Sequence, residues 1–155
     1  MTEAPKVRTC LWFNDQGEEA AAFYVSLLPD SAVESVMRPE PDGPALMISF
    51  SLAGVPYVIL NGGPHYELSP AASIMVSTAD QDETDRLWSA LLADGGRESR
   101  CAWLTDRFGV SWQIVPEALP RLMGADDRAA AGRVQAAMLE MNKIDIAALE
   151  AAFRG

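Results

Sequence analysis

Ala20-Ala21-Ala22-Phe23-Tyr24-Val25-Ser26-Leu27-Leu28 and, 64 positions later, Thr84-Asp85-Arg86-Leu87-Trp88-Ser89-Ala90-Leu91-Leu92 carry one side-chain spacing twice. Ala20, Phe23, Tyr24, Leu27 and Leu28 fall at i, i+3, i+4, i+7 and i+8, and Thr84, Leu87, Trp88, Leu91 and Leu92 do the same. That period puts one mainly apolar stripe along a helix. Each stretch is preceded by Asp with Glu three residues on, Asp15 with Glu18 and Asp80 with Glu83. Both pairs resemble a capping box in which Asp replaces Ser or Thr. Gly95-Gly96 predicts the end of the second helix.

Working outward, the flanks repeat as well. Val7–Phe13 and Ser73–Val76 are apolar stretches of strand length ahead of the two helices. Behind the first helix come Ala32–Met37, Ala45–Leu52 and Val55–Leu60, punctuated by the Pro/Gly-rich stretch Pro39–Pro44 and by Ala53-Gly54. Behind the second come Arg97–Leu104, as two short strands or one bent strand, and Val110–Val115. Gly54-Val55 corresponds to Gly109-Val110, so each half reads β-α-β-β-β. The predicted organisation is one domain over residues 1–155, with modules at 7–64 and 72–116 and a helical tail at 117–155. Short modules bury little surface alone, so the halves are expected to share a core. In the tail, Val134, Met138 and Met141 share a helical face, and Asp145 is a predicted N-cap for a helix over Ile146–Phe153. This stripe must pack on the sheet or on a second chain.

Composition narrows the partners. The 155 residues are 49% hydrophobic, enough for a packed core, and 22 acidic against 12 basic residues give a net charge of −10. Acidic surfaces repel phosphate backbones and anionic lipid, so no nucleic acid and no membrane partner is expected. No apolar run has the length of a membrane span, and Met1–Pro5 has neither a basic start nor an apolar core, so the expected location is cytoplasmic. Two cysteines and one histidine cannot build a disulfide framework or a histidine-rich metal site.

Several motifs are more specific. They are Cys10-Leu11-Trp12-Phe13, Glu18-Glu19-Ala20 to Phe23-Tyr24, Leu60-Asn61-Gly62-Gly63-Pro64, Asp80–Trp88, Asp106-Arg107-Phe108-Gly109-Val110-Ser111-Trp112-Gln113-Ile114-Val115-Pro116, Met138-Leu139-Glu140-Met141 and Lys143-Ile144-Asp145-Ile146. With them the chain resembles the PhnB-like group of the vicinal oxygen chelate superfamily, which includes glyoxalase, bleomycin-resistance and dioxygenase proteins. The resemblance implies an α+β fold, in which two βαβββ modules form a cupped mixed sheet, here with a C-terminal helical tail. It also implies a homodimer with a cleft built from paired modules. The group often carries a 3-demethylubiquinone-9 3-methyltransferase label. Methyltransferases of that kind use a glycine-rich strand-to-helix turn, whereas Asn61-Gly62-Gly63-Pro64 leads to no helix.

Metal-binding members of the superfamily place His, Glu or Gln at four strand positions. Counted by the family pattern, these are Thr9, Val58, Ser73 and Gln113. Only Gln113 offers a ligand of the right class, so no metal and no other cofactor is expected. The resemblance then implies a metal-independent pocket for an unknown small molecule, lined by Trp12, Asn61, His65, Ser73, Trp103 and Gln113. His65, in the loop between the modules, is also the candidate general base of a divergent enzyme, or a plain loop histidine. A third reading is a non-catalytic dimer whose pocket is filled by its own side chains. Cys10 and Cys101 read as small buried strand residues. Trp88 reads as core, and Trp12 and Trp103 as either core or aromatic pocket walls. Asp80, Asp82, Glu83 and Asp85 read as solvated carboxylates at a helix start, with cation binding as the alternative.

Overall fold

The computed structural model describes residues 3–155, and the part of the leader reading that falls on Met1 and Thr2 lies outside them. The chain divides into two compact units, one ending at Leu68 and one over Ser69–Gly155. In the first, β1 (Thr9–Phe13), α1 (Gly17–Val25), β2 (Ala32–Met37), β3 (Met47–Leu52) and β4 (Val55–Asn61) form a four-stranded sheet of order β1-β4-β3-β2. In the second, β5 (Ser73–Thr78), α2 (Gln81–Leu92), β6 (Arg97–Glu98), β7 (Trp103–Thr105) and β8 (Ser111–Pro116) repeat it as β5-β8-β7-β6. In each sheet the first strand runs parallel to the last and the other pairs are antiparallel. The predicted βαβββ repeat is therefore the fold.

One face of each sheet carries the helix, as period-2 alternation requires. In the first unit Leu11, Ile48, Phe50 and Ile59 are buried with Ala20, Ala21 and Tyr24 of α1. In the second, Ile74, Leu104, Trp112 and Ile114 are buried with Leu87, Trp88 and Leu91 of α2. The ambiguous stretch after α2 resolves into two short strands. Cys101 (φ 57°) and Ala102 (φ 76°) turn the chain between them in the left-handed region.

The caps differ between the two helices. Asp80 does cap α2, since its Oδ1 accepts the Glu83 N–H at 2.9 Å and Glu83 Oε2 accepts the Ala79 N–H at 2.8 Å. Asp15 does not cap α1, where Gln16 is the N-cap and makes no side-chain bond. Asn61 of β4 takes the role instead, its Oδ1 accepting the Gly17 N–H at 2.9 Å. A helix start needs an acceptor, and a neighbouring strand can supply it as well as the preceding turn.

The tail forms α3 (Ala118–Met123), α4 (Arg128–Leu139) and α5 (Ile146–Arg154). Asp145 caps α5 as expected, accepting the Ala148 N–H at 3.1 Å. Val134 is buried with Ala102, Leu119, Leu122, Ile144 and Leu149, and Val115, Met138 and Met141 pack against that cluster. The apolar stripe is thus satisfied within its own unit. Gln81 joins α2 to the tail, donating to the Ile144 carbonyl at 3.0 Å and accepting the Ile146 N–H at 2.9 Å. Among the described residues no helix is long and apolar enough to cross a membrane.

Candidate functional site

Directly opposed strand residues share a face. In the second unit, Ser73 lies opposite Ser111, Ser111 opposite Thr105, and Thr105 opposite Arg97. The neighbouring row on the same face is Met75, Gln113 and Trp103. Trp112, on the other face, is buried against α2, so the alternation in Ser111-Trp112-Gln113 turns Gln113 away from the helix. Gln113 Nε2 donates to Ser73 Oγ at 2.9 Å, joining two of the six residues singled out from sequence. Trp103 is half-buried beside Gln113. Ser111 is buried and its Oγ has no hydrogen-bond partner among the described residues. Ser111, Thr105 and Arg97 were not anticipated. Stepping two residues back from Gln113 would have found Ser111, but the other two need the strand register.

The turn below this face is held by Asp106. Its Oδ1 accepts the Phe108 and Val110 N–H groups at 2.9 and 3.0 Å, and its Oδ2 accepts the Trp112 indole N–H at 2.9 Å. The tail fixes the other end of β7. The Cys101 and Ala102 N–H groups donate to the Met141 and Asn142 carbonyls at 2.8 and 2.9 Å.

In the first unit, Trp12, Asn61 and His65 lie at the far end of β1 and β4. Trp12 donates its indole N–H to the Gly63 carbonyl at 2.8 Å, and its ring meets Tyr66 edge-on at 4.8 Å and His65 at 6.5 Å. A Cβ on Gly62 would come within 2.4 Å of the Trp12 ring, which explains the glycine there. His65 is exposed and makes no hydrogen bond among the described residues, so no carboxylate orients it as a base. Asn61 is committed to structure through the Gly17 bond and through Nδ2 donating to the Ala45 carbonyl at 3.1 Å. It also borders a cavity of about 410 Å³ between the turn at Asn14-Asp15 and the β2–β3 loop. Cys10 is exposed and Cys101 half-buried, correcting the expectation of two buried thiols. Trp88 is core, as expected, with its indole N–H on Glu98 Oε1 at 2.8 Å.

The four positions that hold metal in the superfamily do not fit one here. The register corrects the first of them. Thr9 pairs with Tyr57 on the α1 face, whereas Val58 pairs with Cys10 on the other. Cys10 stands to Val58 as Met75 stands to Gln113, so the counterpart of Ser73 is Arg8. Arg8 donates to the Tyr57 carbonyl at 3.0 Å and pairs with Glu34. Guanidinium, valine, serine and an amide that spends its N–H on serine do not make a divalent site. Among the described residues no cluster of three or more His, Cys, Asp or Glu side chains could hold an ion. Titration is perturbed away from these faces. Burial pushes the Tyr57 phenol up, and hydrogen bonds from Lys143 and Gln81 hold the Asp85 carboxyl below its ordinary value.

Comparison with known proteins places this geometry. Residues 5–115 match the family model described as 3-demethylubiquinone-9 3-methyltransferase, which covers both modules and stops before the tail. A PhnB protein from Bacillus cereus is 28% identical and superposes with a TM-score of 0.66 over 72% of this chain and 99% of that one. A protein from Pseudomonas aeruginosa is 23% identical, with a TM-score of 0.60 over 74% of this chain and 98% of that one. Fosfomycin resistance protein FosX from Mesorhizobium loti shares the fold at 13% identity, with a TM-score of 0.53 over 74% and 92% of the two chains. Comparison with curated proteins finds no match.

Proposed function

The chain belongs to the 3-demethylubiquinone-9 3-methyltransferase family, the PhnB-like group of the vicinal oxygen chelate superfamily, and from that premise we propose that it binds a small molecule without a metal. The observation that carries the reading is the Gln113–Ser73 pair. At the strand positions that the superfamily uses for metal, the second unit presents a carboxamide hydrogen-bonded to a hydroxyl. The pair leaves Gln113 Oε1 as an acceptor, while Trp103 beside it offers a flat apolar wall. Methyl transfer is not part of the proposal. Both sheets are mixed βαβββ sheets, and the glycines after β4 lead into a turn, so neither offers the nucleotide cradle of a parallel βαβ unit.

The proposal includes a homodimer in the cytoplasm. Its support is β2, an edge strand with all six residues exposed, including Val33, Val36 and Met37. An exposed apolar edge invites a second chain. Native mass spectrometry of the freshly purified protein tests the dimer and the metal together. The expected result is twice the subunit mass with no metal increment. A monomer at micromolar concentration overturns the dimer, and a stoichiometric metal overturns metal independence. Gln113→Leu, which removes the amide but preserves its bulk, is expected to abolish ligand binding. Unchanged binding overturns the pocket.

A further inference from the structure

Ser111 Oγ is a buried hydroxyl that no group among the described residues satisfies. Buried polar atoms without partners are rare, and each one asks what pairs with it. The row that contains it supplies an answer. Ser73, Ser111 and Thr105 set three hydroxyls side by side on adjacent strands, and Arg97 closes the row on the edge strand. Arg97 makes no ion pair or hydrogen bond among the described residues, although the chain carries a net charge of −10. The one carboxylate of these strands, Glu98, turns to the opposite face, where it accepts from Trp88 and Asn142. The Arg97 side of the sheet is therefore a cationic, donor-rich strip without a competing acid on its strands. Trp103 lies flat-walled in the next row.

We infer that the second unit takes a flat small-molecule carboxylate. Arg97 meets the anion, Thr105 and Ser111 donate to it, and Trp103 packs on its body. A guanidinium and two hydroxyls offer a fork of donors matched to one carboxylate, and charge-assisted bonds of this kind are the strong ones. One unpaired cation matches one negative charge, which favours a carboxylate over a doubly charged phosphoryl group. This inference rests on the ligand-binding reading and specifies its ligand class.

The test uses the full-length protein and three probes, benzoate, its neutral isostere benzamide, and phenylphosphonate. Binding is followed by 1H–15N NMR at the Trp103 indole and the Gln113 side-chain amide. Benzoate is expected to bind about tenfold more tightly than either other probe, with the preference reduced by salt. Arg97→Gln, an exposed change, is expected to bring benzoate down to the benzamide value and to leave benzamide unchanged. Ser111→Ala separates ligand binding from structure, because it deletes a hydroxyl without a partner. It is expected to raise the melting temperature and to weaken benzoate binding. Equal binding of benzoate and benzamide at these residues overturns the carboxylate class while leaving the ligand-binding reading intact. Tighter phenylphosphonate binding, or a benzoate preference that survives Arg97→Gln, overturns the assignment of the anion to this row. No response to any probe at about 10 mM overturns both readings.

Discussion

Replacing Asp106 should unfasten the turn that presents Gln113 opposite Trp103. One carboxylate accepts three hydrogen bonds there, from two backbone amides and the Trp112 indole. Asp106→Ala removes all three. Hydrogen bonds to a charged group contribute roughly 1.5–3 kcal/mol each. Water can replace the half-buried Phe108 partner, so the two buried bonds, from Val110 and Trp112, set an expected loss of about 3–6 kcal/mol. Domains have about 5–15 kcal/mol in total, so this variant sits near the edge of folding at 37 °C. Asp106→Asn is milder and more diagnostic. Its oxygen can keep both amide partners, but its NH2 then faces the indole N–H, donor against donor. The expected loss is about 2–3 kcal/mol. Trp112→Phe deletes that N–H. In Asp106→Asn/Trp112→Phe the conflict is gone, so the double variant should be about 1–2 kcal/mol more stable than the sum of the singles predicts. Urea unfolding followed by far-ultraviolet circular dichroism measures the parent and all four variants without relying on the altered tryptophan. Additivity within about 0.5 kcal/mol, or an Asp106→Ala cost below about 1 kcal/mol, would refute the view that this carboxylate clamps the turn.

Three further substitutions have signs that the structure fixes. Gly17→Ala would normally strengthen a helix by about 1 kcal/mol, but here the new Cβ would lie 2.3 Å from Ile59 Cγ2 and 2.7 Å from Asn61 Oδ1. Overpacking and displacement of the Asn61 cap should reverse the sign to a net loss of about 1–3 kcal/mol in urea unfolding, whereas Gly132→Ala, in open space on α4, should gain about 0.5–1 kcal/mol. The Asp85 carboxyl is held below its ordinary value by hydrogen bonds from Lys143 and Gln81. A lowered folded-state pKa gives stability that is present above the unfolded pKa, near 4, and lost as pH falls through the folded value. Asp85 and Lys143 are more than a third exposed, so solvent screening keeps the effect of Asp85→Asn below about 1 kcal/mol at pH 6. In thermal melts the difference between variant and parent should shrink as pH falls below the ordinary carboxylate value and vanish once the carboxyl is protonated in both states, and a difference that grows as pH falls would contradict the assignment.

The features legible in the sequence were those whose signal is local or repeated. The apolar spacing at 20–28 and 84–92 identified α1 and α2, and the matching Gly54 and Gly109 aligned the strands that follow them. Asp80 and Asp145 cap their helices because the acceptor precedes its own helix by a fixed step. Asp15 has the same local pattern and does not cap, and the start of α1 instead meets an acceptor 44 residues away on β4. The break at Cys101-Ala102 was equally hidden. Two non-glycine residues hold positive φ there, with carbonyls some forty residues later accepting their N–H groups. Candidate site residues divide in the same way. Gln113 and Ser73 came from the strand pattern of the superfamily that the chain resembles, and the structure joins them. Arg97, Thr105 and Ser111 meet only through the register of three strands, where a slip of one residue would send each side chain to the other face. The central pair joins a carboxamide to a hydroxyl, and the row beside it carries the charge. Those three residues therefore share a face through strand register rather than through any contiguous motif.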